Sequence, residues 1–165
     1  MLALILPLAP VGFVDAGLAA SAPPGASTDV EWLWPISGAY VESPYVAPAH
    51  RYGPGHRGID LRPAGEATVR APAAGTVAFA GAVAGRGVLT IDHGGGIVTT
   101  FEPIAVGVEL RAGVAVRRGE VLGRIDAGGH AALGALHVGA RLDGEYINPL
   151  LLFGGIPRAV LLPCC

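Results

Sequence analysis

Three side chains in this sequence are of types that could hold one divalent cation. They are His56 and Asp60, in the run Gly55-His56-Arg57-Gly58-Ile59-Asp60, and His137, in Ala135-Leu136-His137-Val138-Gly139. Two imidazoles and a carboxylate, with a fourth position left to water, form the donor set of a catalytic zinc site. Spacing alone does not deliver that site. On an extended strand His56 and Asp60 share a face yet stand roughly 13 Å apart at about 3.3 Å per residue, whereas zinc needs each donor at about 2 Å. A bend is therefore required, and Gly58 is the residue expected to supply it.

The elements that must position these groups are strands. Pro54 and Gly55 precede the first pair, and Pro63, Ala64 and Gly65 close it, so helix is disfavoured there. Downstream, short apolar-alternating runs separated by glycine predict strands at 69–71, 76–80, 87–92, 97–101, 108–110, 121–125 and 136–141. Leu142-Asp143-Gly144-Glu145 is a tight-hairpin signal that pairs the last of these with a strand at Tyr146. No helical period persists between Pro35 and Asn148. The expected fold is all-β, a folded antiparallel sheet or flattened β-sandwich. Val69 through Val77 is echoed by Val114 through Val121, which points to two similar fused units, a duplicated hybrid of the barrel-sandwich type. Trp32 and Trp34 open the folded part and are expected to pack at its edge rather than form a sugar-stacking platform.

Five segments follow one another in order: His56-Arg57-Gly58-Ile59-Asp60-Leu61, Ala71-Pro72-Ala73-Ala74-Gly75-Thr76-Val77, Ile91-Asp92-His93-Gly94-Gly95-Gly96, Arg118-Gly119-Glu120-Val121-Leu122-Gly123 and Leu136-His137. This series resembles the lysostaphin-type, or LytM-like, zinc metallopeptidases that cut peptide bridges in bacterial cell walls. The resemblance runs from about Trp34 to Phe153. It implies Zn2+ as cofactor, His56, Asp60 and His137 as its ligands, and peptidoglycan as partner. The internal echo also fits the biotinyl and lipoyl carrier domains. Those need an acceptor lysine at a hairpin tip, and all eleven basic residues here are arginine.

In the resembled family two further histidines move the proton and steady the oxyanion, one in a Tyr-x-His strand and one opening a His-x-His. This sequence has Phe101-Glu102-Pro103 at the first place and Ala135-Leu136-His137 at the second. It resembles in this an actinobacterial set of family members that lack both histidines. Ala135 carries no proton. Glu102 is a candidate substitute base, displaced by one residue and therefore expected on the opposite face, and His130, on a glycine loop, is the other candidate. His93, in its His-Gly-Gly-Gly turn, is expected to make a structural hydrogen bond, and His50 has the least claim. Arg57 and Arg141 are candidates for attracting a substrate carboxylate. The leading expectation is a zinc-dependent endopeptidase-like domain hydrolysing peptide cross-links of peptidoglycan. The alternative is a non-catalytic cell-wall-binding or hydrolase-activating module that keeps the fold and the metal site.

Composition narrows the field. Hydrophobic residues make up 52%, ample for a core, while charged residues are 15% and the net charge is -2. No basic face exists to neutralise phosphates, so no nucleic acid is expected, and no dinucleotide cofactor either. The expected layout is a signal-peptide-like segment over 1–22, a linker over 23–31, the β domain over 32–153 and an apolar tail over 154–165. The first segment combines the apolar run Met1 to Pro10 with small residues at Ala19-Ala20-Ser21-Ala22, although a basic n-region is missing and Pro23 follows. The protein is accordingly expected to be secreted or associated with the cell envelope. Cys164 and Cys165, adjacent and terminal, offer no disulfide framework.

Overall fold

The computed structural model describes residues 32–50, 52–129 and 131–154. The expected leader and linker, His130, the tail beyond Gly154 and both cysteines lie outside the described residues.

Strands β1 (Tyr40–Ser43), β2 (Gly58–Arg62), β3 (Thr68–Arg70), β4 (Gly75–Val83), β5 (Arg86–Asp92), β6 (Ile97–Glu102), β7 (Ile104–Val106), β8 (Ala115–Val116), β9 (Val121–Ile125), β10 (Leu136–Leu142) and β11 (Glu145–Ile147) are followed by a single helical turn, α1 (Leu150–Phe153). Nearly all of the regular structure is therefore β, and every pairing is antiparallel. An eight-stranded sheet runs β1-β2-β10-β6-β5-β4-β8, with β11 paired to β10, and a three-stranded sheet runs β3-β9-β7. No described helix is long and apolar enough to cross a membrane.

The two echoing segments lie against one another. β3 pairs with β9 and β4 with β8, so each unit exchanges a strand with the other. Ala71 donates its amide to Glu120, and Gly119 donates back to Ala71, both at 2.8 Å, which closes the seam between them.

Strand parity then divides the faces. Ile59, Leu61, Leu136, Val138 and Phe101 from β2, β10 and β6 are wholly buried and join Val69, Leu122 and Ile104 from the smaller sheet in one core. Asp60, His137 and Glu102 alternate with them and fall on the other face of the large sheet. The edge of the core is closed by Phe153, whose ring lies 5.6 Å from Trp34 and 6.4 Å from Trp32, so both tryptophans pack as expected.

The strand expected at 108–110 is instead a turn, closed by the Leu110 amide on the Gly107 carbonyl at 2.9 Å. Val108 is 96% exposed there. The pairing belongs to Ile104–Val106, just upstream, where Ile104 can reach the core.

Candidate metal centre

The β2–β10–β6 pairings build the site row by row. Asp60 stands across from His137, and His137 across from Glu102, so the three form one cross-strand row on the outer face. The next row is Gly58, Gly139, Thr100 and Thr90, in which two glycines leave a trough floored by backbone. Thr90 and Thr100 share a hydroxyl hydrogen bond of 3.2 Å along it.

His56 is not part of β2. It forms an isolated bridge with Val46, and the chain bends at Arg57 before the strand begins at Gly58. The bend that the spacing demanded is present, one residue earlier than expected. Gly58 is required for another reason: a Cβ there would meet the His137 ring at 2.6 Å and the Val138 carbonyl more closely still. The glycine makes room for an imidazole.

With that bend the three donors converge. His56 Nε2 lies 3.1 Å from Asp60 Oδ1 and 3.1 Å from His137 Nδ1, and His137 Nδ1 lies 2.8 Å from Asp60 Oδ1. Donors bound at about 2 Å to one tetrahedral ion stand about 3.3 Å from each other, so this triangle is slightly tighter than, and of the right size for, a single zinc. The orientation fits as well. His56 Nδ1 is 2.7 Å from the Pro44 carbonyl oxygen, which can only accept, so Nδ1 carries the proton and the Nε2 lone pair faces the other two donors. Asp60 and His137 are buried, which spares the cluster from competition with bulk water.

Glu102 does not lie on the opposite face. Its register across from His137 brings it to the same face, where Arg86 Nε donates to Glu102 Oε2 at 2.9 Å. Offset by one from the resembled histidine is an argument about its own strand, and cross-strand register decides the outcome. Pro103 and Ala135 are both buried and bring no titratable group. His130 lies outside the described residues. His50 lines a second hollow beside the cleft, away from the triad.

The cleft over the triad is further lined by Arg57, Arg86, Arg141 and Tyr146. Arg86, Thr90, Thr100 and Tyr146 were not singled out from sequence. Register arithmetic finds the last of them: a two-residue turn at Asp143 and Gly144, both with positive φ, sets Tyr146 across from Arg141.

His93 sits apart. Its Nδ1–H donates to Ala74 O at 2.9 Å, its Nε2 accepts from the Thr99 hydroxyl at 2.8 Å, and Trp32 packs on its edge at 4.8 Å. Burial lowers its pKa against the opposing pull of the Ala74 carbonyl and of Asp92. It holds the β5–β6 turn to the loop before β4 and touches none of the triad.

Comparison with known proteins gives a consistent answer. The sequence profile described as peptidase family M23 matches residues 54–149. An uncharacterized protein of Mycobacterium tuberculosis (strain ATCC 25618 / H37Rv) is 34% identical over 143 residues, 82% of this chain and 57% of that one. The chain thus spans little more than half the length of that relative. The DD-carboxypeptidase/endopeptidase Mpg of Neisseria gonorrhoeae (strain ATCC 700825 / FA 1090) is 32% identical over 96 residues, 58% of this chain and 22% of its own. The solution structure of lysostaphin shares the fold at a TM-score of 0.62 and 17% identity, covering 81% of this chain and 58% of that one.

Proposed function

The chain belongs to peptidase family M23, and on that premise we propose that it is a zinc-dependent endopeptidase-like domain that hydrolyses peptide cross-links of bacterial peptidoglycan. The observation that carries the reading is the triangle of His56 Nε2, Asp60 Oδ1 and His137 Nδ1, with sides of 2.8 to 3.1 Å. In this proposal those three residues hold Zn2+, which when bound supplies an acidified water and polarises the scissile carbonyl.

The remaining work falls to the chain's own groups. Pro44 holds the His56 tautomer through its carbonyl, and the Gly58–Gly139 row lets an extended peptide lie against the sheet. Glu102 is the acid–base group in the same row as His137, and as a carboxylate it can take a proton and return it to the leaving amine. Arg86, bonded to Glu102 Oε2, fixes that carboxylate in the cleft. Proline at 103 and alanine at 135 leave no histidine to share this task, so slow turnover is expected. On this reading the protein acts outside the cytoplasm, where peptidoglycan lies.

Those two positions favour a second reading, a wall-binding or hydrolase-activating module that keeps the metal and cuts nothing. The two readings separate in one experiment. Purified full chain, stripped with chelator and reloaded with Zn2+, is incubated with cell walls while free amines are counted. Zinc-dependent amine release that disappears in His137→Ala supports the enzyme. Wall binding without release leaves the module.

A further inference from the structure

Two guanidiniums from separate elements converge on one ring beside the triad. Arg57, in the bend between His56 and β2, and Arg141, on β10, place their guanidinium carbons 5.8 Å and 5.9 Å from the centroid of Tyr146. Tyr146 is on β11 directly across from Arg141. Arg57 is also fixed by its Nη2–H donated to Gly53 O at 3.1 Å. Stacking over an aromatic face holds a guanidinium in place while its edge donors stay available for a planar acceptor.

These three residues line both the cleft over the triad and a neighbouring hollow walled by Tyr45, Pro48 and Tyr52. They form the ridge between the two. The other charged groups facing this region are few. Arg86 is bonded to Glu102 in the cleft, and the hollow contains Glu145 and His50. Among the described residues Arg141 forms no ion pair with a carboxylate. Arg141 therefore brings positive charge to the ridge, and its donors suit a carboxylate, which a guanidinium fork matches geometrically.

We propose that Arg57 and Arg141, laid on Tyr146, form a carboxylate-binding subsite adjoining the metal centre, which makes anionic peptides the substrate class of this chain. The charge sits within a few residues of the cleaved bond, because Arg141 is four positions from His137, about 13 Å along an extended strand. The inference rests on the peptidase reading and adds to it the feature of the substrate that is recognised.

The test uses three synthetic wall-type peptides of equal length. One carries a side-chain carboxylate and an amidated C-terminus, one a C-terminal carboxylate and a side-chain amide, and one is fully amidated. Dissociation constants are measured by calorimetry on the full chain with zinc and with chelator, and cleavage is followed separately. At least one carboxylated peptide is expected to bind about tenfold more tightly than the amidated one, and added salt should erode the difference. Whichever is preferred identifies the source of the charge. The preference should fall to about onefold in Arg141→Gln and in Arg57→Gln, with affinity for the amidated peptide held within about twofold, and Arg141→Lys should restore part of it. Equal binding of all three, no binding of any, or a preference that survives both Gln variants overturns the subsite. Cleavage without preference overturns the subsite and leaves the peptidase, whereas preference without cleavage supports the subsite and sinks the peptidase.

Discussion

Asp60 stands directly across from His137 in the pairing of β2 with β10, and its Oδ1 lies 2.8 Å from His137 Nδ1. Neighbours in a ladder are held by the sheet itself, so two of the three donors are preorganised by backbone hydrogen bonds, and only His56 depends on a loop. Replacing Asp60 removes a donor from the rigid half. Asp60→Ala should lower zinc affinity by more than about 100-fold, beyond the usual cost of losing a residue that merely orients a ligand. Metal content by mass spectrometry checks this, and an Asp60→Ala protein that keeps stoichiometric zinc would rule out the triad.

Gly58 is the position where added bulk does most harm near the site. A Cβ would enter the His137 ring at 2.6 Å and press still closer on the backbone carbonyl of Val138. Gly58→Ala should cost about 1–3 kcal/mol, as overpacking does, and weaken metal binding as well. Gly65→Ala, where nothing lies within 4 Å of the added carbon, is the control and should change stability little. Urea unfolding of both variants decides it.

Glu102→Gln keeps an acceptor for Arg86 and removes the proton carrier. If Glu102 moves the proton, kcat on a wall peptide should drop by about 10²–10⁴, with metal content and KM nearly unchanged. Single-turnover rates give the comparison, and an unaltered kcat would exclude Glu102 from the chemistry.

His93 sets an acid limit on the fold that is separate from the site. Its pKa is lowered by burial, so around and below the ordinary histidine value of about 6.5 the unfolded chain binds a proton that the folded chain resists. Stability should therefore be fully present above that value and be lost as pH falls through it. His93→Gln should start less stable at neutral pH, having lost the fitted ring, and should lose less between about pH 7.5 and pH 5. Denaturant unfolding in chelator, which removes any metal contribution, measures the two slopes.

The sequence was most informative where periodicity and turn chemistry agree. Alternation marked strands at 97–101 and 136–141, which the structure has as β6 and β10, and Asp143-Gly144 marked the β10–β11 hairpin. The run at Val108 to Leu110 misled because apolar identity does not reveal which residues the core can reach, and Val108 is left in solvent. Glu102 was misplaced for a related reason. Parity along β6 was known, but its registry against β10 depends on long-range pairing that no local pattern specifies. Arg86 reaches the cleft from β5, which lies beside β6, whereas Tyr146 follows from the local β10–β11 hairpin. The demand for a bend between His56 and Asp60 followed from distance alone, and it is met at Arg57.

Tyr45 donates its hydroxyl to the Tyr146 carbonyl at 3.2 Å, and the residue just before it, Pro44, supplies the carbonyl that aims His56. The lever is short: one dipeptide is anchored at one end to the β11 hairpin and at the other to an imidazole of the triad. The ring that completes the candidate cation cage is thus seated by the same short segment that steadies the neighbouring hairpin, and a change in either anchor alters the support of the other.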